Sequence, residues 1–153
     1  MDDIAARYAD RAVRSVFLYT REAHPGELYR HHTTMDDKRD RAQALRDVVG
    51  IKRHILLDDM VGTAHHGYGM LPNMTWIFGR GGVILYKAAW TDPVDVESAI
   101  KAALDGLSRR VRGDQLPFYS ERLAWRVRDD ETFRKLLERC GPQAVSDFFD
   151  KKG

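Results

Sequence analysis

A single cysteine, Cys140, stands in the 153-residue sequence, so no intrachain disulfide can form. Neither a CxxC nor a Cys/His zinc spacing surrounds it. A reducing cytoplasm is the expected compartment. Long apolar runs are missing too: nothing approaches the ~18 residues of a membrane span. The opening MDDIAARYADRAVRS carries charges where a secretory leader needs an apolar centre. Neither membrane insertion nor export is expected. An excess of one charge is also lacking, with 25 Lys and Arg against 23 Asp and Glu, a net charge of +2. That balance cannot grip a phosphate backbone, and no nucleic-acid partner is expected. What is present, 43% hydrophobic and 31% charged residues, suffices for a folded core and excludes disorder and fibrous structure.

The chain then divides into recognisable elements. Asp3 to Asp10 reads as a short helix with Ile4 and Tyr8 on one face. Ser15 to Thr20 is a continuous β-favouring run suited to a strand buried on both faces. A histidine-rich loop, Arg21 to Thr33, follows with a turn signal at Pro25-Gly26. Thr34 and Asp37 form an acidic capping box for a helix carrying Ala42, Leu45, Val48 and Val49, ended by Gly50. His54 to Asp58 is a second buried strand, and residues 62–69 have room for one short helix. Met74–Phe78 and Val83–Tyr86 flank Gly79-Arg80-Gly81-Gly82 as a hairpin. A phosphate loop needs a lysine and a following helix, whereas a second strand follows these glycines, so they are not one.

Asp92 and Pro93 then start a helix striped by Val96, Ile100, Ala103, Leu104 and Leu107. The cations Arg109, Arg110 and Arg112 at its end suit the helix dipole and solvent. Asp129 or Asp130 caps a further helix with the apolar face Phe133, Leu136, Leu137 and Cys140, ended by Gly141-Pro142, and a last short helix carries Val145, Phe148 and Phe149. Residues 1–108 are expected to form the main α/β domain, with 109–153 a helical C-terminal extension packed on it.

Among these residues the strongest chemical pair is Glu22 with His24. Two apart on extended backbone, they face the same way, and a carboxylate beside an imidazole orients the ring and raises its pKa. The pair is thus a candidate proton donor and acceptor near neutrality. Tyr19 and Tyr68 are candidates for an aromatic wall. His31-His32 and His65-His66, with Asp58 and Asp59, invite a metal, yet no His-x-x-x-His falls on an expected helix. Neither a metal nor another cofactor is expected. Cys140 reads as a small core residue, because burial on an apolar stripe and a helix C-terminus both raise a thiol's pKa.

Several of these segments together resemble the iodothyronine deiodinase-like group of thioredoxin-fold redoxins. The resemblance lies in Phe17-Leu18-Tyr19-Thr20-Arg21-Glu22-Ala23-His24-Pro25, Asp58-Asp59, Tyr68-Gly69, Leu71-Pro72-Asn73, the glycine-rich hairpin and Leu85-Tyr86-Lys87. It spans roughly residues 3 to 107. It implies a thioredoxin-like sheet flanked by helices, a catalytic Glu22–His24 pair beside the reactive atom, and a cis Pro72 lining the substrate groove. The family's reactive selenocysteine or cysteine precedes the matched region, and the sequence as given starts inside the helix that follows it. The expectation is therefore a deiodinase-like protein without a redox nucleophile, acting on or binding a small aromatic molecule through Glu22 and His24, with Tyr19, Tyr68 and Pro72 as substrate contacts. The alternatives are a non-catalytic assembly module whose incomplete sheet pairs with another chain or a second copy, and an N-terminally truncated thiol oxidoreductase or reductive dehalogenase.

Overall fold

The computed structural model of the chain describes residues 1–113, 119–123 and 129–150. It is a mixed α/β structure with two compact units. The first holds residue 2, residues 4–70 and the two C-terminal helices; the second runs from Leu71 through the last strand and includes residues 1 and 3.

In the first unit α1 (Asp2–Tyr8) buries Ile4 and Tyr8, the two residues that share its apolar face. The Asp2 carboxylate accepts from the backbone N–H groups of Lys52 (3.0 Å) and Arg53 (2.9 Å), fixing the approach to the second strand. β1 (Val16–Tyr19) and β2 (His54–Leu57) pair in parallel, Val16 opposite His54 and Tyr19 opposite Leu57. The Asp58 N–H donates to the Tyr19 carbonyl at 3.0 Å and continues the ladder by one bond.

Between these strands runs α2 (Met35–Asp47), whose capping box forms as its sequence requires. Thr34 Oγ1 accepts from Asp37 N–H at 3.1 Å, and Asp37 Oδ2 accepts from the N–H groups of Thr33 and Thr34. Those donors, Thr33 foremost, push the Asp37 carboxyl down to about 2. α3 (Thr63–Gly67) follows β2 and begins on a buried carboxylate: Asp58, 3% exposed, accepts from Asp59, Ala64 and His65 N–H within 3.0 Å. The C-terminal helices α5 (Asp130–Glu138) and α6 (Pro142–Phe149) pack on each other. Asp129 caps α5 through Thr132 N–H at 3.1 Å. Leu137 is fully buried, whereas Leu136, expected on the same apolar face, is exposed. Neighbours along a helix lie about 100° apart around the axis, and the buried stripe of α5 is narrow enough to take in only Leu137 of the two.

The second unit contains the expected hairpin. β3 (Thr75–Phe78) and β4 (Ile84–Ala88) pair antiparallel, with a register irregularity between Ile77 and Phe78. Gly81 (φ 72°) and Gly82 (φ 79°) take the left-handed backbone that closes the connection. α4 (Pro93–Val111) packs against β3 and buries Val96 and Ile100. Its N-cap Asp92 accepts from Val94 and Asp95 N–H, as the Asp-Pro signal requires.

Two expectations change. The strands form a two-stranded sheet, β1-β2, and a three-stranded sheet, β3-β4-β5, in place of a single thioredoxin-like sheet. The edge of β4 opposite β3 is taken by β5 (Ser120–Arg122), a short parallel strand with no periodicity of its own to announce it. The Leu71–Pro72 bond is trans, not the cis form the resemblance implied. Met70 (φ 60°) and Asn73 (φ 61°) on either side take left-handed backbone, and the ordinary trans preference of the bond stands. Among the described residues no helix is long and apolar enough to cross a membrane.

Candidate functional site

β1 ends at Tyr19, and the chain leaves the sheet through a bend at Ala23-His24 before Pro25 and Gly26. Tyr19 is buried, and its hydroxyl donates to Glu22 Oε2 at 3.1 Å. Burial first, and then the Glu22 charge, pushes the phenol far above its ordinary value, so it stays a hydrogen-bond donor at any physiological pH. Glu22 is thereby held in place, half-buried, one residue before the bend that carries His24.

His24 meets the C-terminal helices. Its ring lies edge-on to Phe133 of α5 (5.2 Å between centroids) and Phe148 of α6 (5.6 Å), and those two rings are themselves edge-to-face at 4.7 Å. A shallow groove of about 200 Å³ opens beside it, lined by Ala23, His24, Pro25, Ala144, Asp147 and Phe148. Burial lowers the imidazole's pKa, and the opposing pull of Glu22 does not restore it. The sequence alone suggests a raised value, because it shows the neighbouring carboxylate and hides the aromatic wall. The consequence is a neutral ring at pH 7, with a lone pair free to accept a proton.

The loop is fastened to the helices by two further sets of hydrogen bonds and approaches them closely at Gly26. Leu28 N–H donates to the Cys140 carbonyl at 3.0 Å. The Glu27 carboxylate accepts from Gln143 N–H at 3.0 Å and so caps α6, a helix whose own N-cap, Gly141, has no side chain to do it. Gly26 is buried, and a Cβ there would overlap the Cys140 carbonyl oxygen and lie 2.8 Å from its carbon.

Cys140 itself sits half-buried in the turn between α5 and α6. Burial and then the Glu22 charge push its thiol up, the reverse of what a nucleophile needs. Alkylation by iodoacetamide at neutral pH is accordingly expected to run several-fold slower in the native protein than in urea. Equal rates, followed by mass spectrometry, would remove Cys140 from its protected position.

No match to this chain was returned by comparison with protein-family models, curated proteins or solved structures.

Of the residues singled out in the sequence, Tyr19, Glu22 and His24 belong to this one constellation. Tyr68 lies exposed at the C-cap of α3, and Pro72, also exposed, belongs to the second unit. His65 and His66 stack at 6.5 Å, and among the described residues no three His, Cys, Asp or Glu side chains converge as a metal would need.

A second polar cluster escaped sequence reasoning. Lys38, 1% exposed, donates from Nζ to the Asp59 carbonyl at 3.0 Å, with the Asp58 and Asp59 charges nearby. Burial lowers its pKa more than those carboxylates raise it. The signal was present: Lys38 precedes Ala42 by four and Leu45 by seven residues, placing a charge on the apolar stripe of α2.

Proposed function

We propose that the groove beside His24 binds a small aromatic molecule and that His24 acts there as a proton acceptor. The observation that carries this is the His24 ring, edge-on to Phe133 and Phe148 and lining the groove. A single-ring ligand lying against Phe148 presents an acidic O–H or N–H within reach of the imidazole. Glu22, fixed by the Tyr19 hydroxyl, stabilises the imidazolium that forms once the proton has moved. Cys140 takes no part, its thiol being held protonated.

His24→Ala and Glu22→Gln are each expected to lower a proton-transfer activity found with aromatic substrates by ~10²-fold. The pH profile carries the sign. Protonation removes the base, and because burial sets the folded pKa below the ordinary 6.5, activity persists as pH falls through 6.5 and is lost only lower. Unchanged turnover in both variants would dismiss the pair from the mechanism. An assembly role through the β1-β2 sheet is favoured by one fact, that these strands hydrogen-bond only to each other among the described residues. The same experiment separates the two, because an assembly module has no aromatic ligand whose turnover depends on His24.

A further inference from the structure

We propose that Arg41 and His32, at the carboxyl end of β1, hold an oxyanion group, the phosphate or carboxylate of a small ligand. Neither residue lines the groove beside His24, and this site stands whether or not that groove is filled. Arg41 Nε and His32 Nδ1 are both shielded from solvent, yet neither has a hydrogen-bond partner among the described residues. Roughly nine in ten or more of such buried polar atoms are paired, and an unpaired one calls for an ion or a water in its place. A guanidinium is the costlier group to leave so, because it is always charged.

The two residues share one place in the fold. The His32 ring lies 6.0 Å from the ring of Tyr19, the last residue of β1, and the Arg41 guanidinium carbon lies 5.3 Å over the ring of Tyr29 in the loop that follows. Lys38, three residues before Arg41, shares its helical face. Burial first, and then the Lys38, His31 and Arg41 charges, hold the His32 imidazole below its ordinary value against the pull of Asp37. The carboxylates nearby are already committed: Asp37 accepts from Thr33 and Thr34, Asp58 from three backbone N–H groups, and Asp59 from Thr63. Lys38 is engaged with the Asp59 carbonyl. The Tyr29 face fixes the plane of the Arg41 guanidinium, whose edge presents paired N–H donors to a two-pronged acceptor. Both residues keep part of their surface in solvent, which leaves a way in for a small anion. Ligands of open α/β sheets gather outside the carboxyl ends of parallel strands, the position these residues occupy beside β1 and β2.

Inorganic phosphate and acetate, titrated into the full chain at constant ionic strength with chloride as the balancing anion, test the site through the NMR resonances of the Arg41 Nε–H and the His32 ring. Saturable shifts of both resonances are expected with at least one of the two anions. Tighter phosphate assigns the site to phosphate esters and tighter acetate to carboxylic acids, and either result supports it. Arg41→Gln is expected to weaken binding by roughly tenfold or more, and Arg41→Lys by roughly three- to tenfold, since lysine keeps the charge and loses the two-pronged geometry. Both variants are expected to melt within a few degrees of the parent in chloride, because Arg41 Nε has no hydrogen bond to lose. If neither anion shifts the two resonances, or if Arg41→Gln binds both anions as the parent does, the oxyanion site is overturned.

Discussion

Replacing Asp58 by alanine is expected to cost about 3 kcal/mol of folding stability. Its two oxygens accept from three backbone N–H groups, those of Asp59, Ala64 and His65, all within 3.0 Å and shielded from water. Hydrogen bonds to a buried carboxylate are stronger than neutral ones, and removing the acceptor leaves the donors of the α3 first turn without partners. The loss spreads to Lys38, whose buried ammonium has Asp58 and Asp59 as its countercharges. Asp58→Asn should fall between the two, since the amide keeps one acceptor and turns an N–H group toward backbone donors. Urea unfolding followed by circular dichroism measures the difference; a midpoint for Asp58→Ala equal to that of the parent would overturn this account of α3.

Gly26→Ala is the second substitution with a large expected effect, about 2 kcal/mol, from a single added methyl group. The new carbon would overlap the Cys140 carbonyl oxygen and lie 3.2 Å from Ala144 Cβ. The oxygen is backbone, held by its bond from Leu28 N–H, so it cannot rotate away as a side chain would. Left-handed backbone is not the issue, because Gly26 is absent from the positive-φ positions; the requirement is space alone. Displacement should separate the loop from the α5–α6 turn, and with it expose Cys140. Faster iodoacetamide labelling together with a lowered melting temperature is the expected pair of results. Unchanged labelling would mean that the loop and helices are not clamped at this point.

These two positions also mark what could and could not be read from the sequence. Signals completed within a few residues were legible: Thr34 with Asp37, Asp92 with Pro93, the glycines at 81 and 82. Each is a local agreement between backbone need and side-chain chemistry. Pro25-Gly26 read as a turn, and the chain bends on either side of it, at 23–24 and 27–29; the reason Gly26 cannot be larger lies at Cys140, far along the chain. Glu22 and His24 were visible as a pair, whereas the sign of the His24 shift was set by Phe133 and Phe148, which in the sequence look like any apolar helix face. Strand burial and pairing were the least legible features: the runs read as buried on both faces leave Val16 and Leu56 exposed, apolar β runs name no neighbours, and β5 has no apolar pattern at all.

The capping bond from Glu27 to Gln143 spans 116 positions of sequence. At a synthesis rate of about 5–20 residues per second, loop residues 22–28 leave the ribosome on the order of ten seconds before residue 143 is joined to the chain. Throughout that interval His24 and the backbone around Gly26 have no aromatic cover. The α5–α6 pair can assemble from contacts within its own length, but its docking must close one of the longest loops in the molecule and so belongs to the end of folding. The environment that sets the protonation of His24 is therefore the last part of the first unit to exist in a newborn chain.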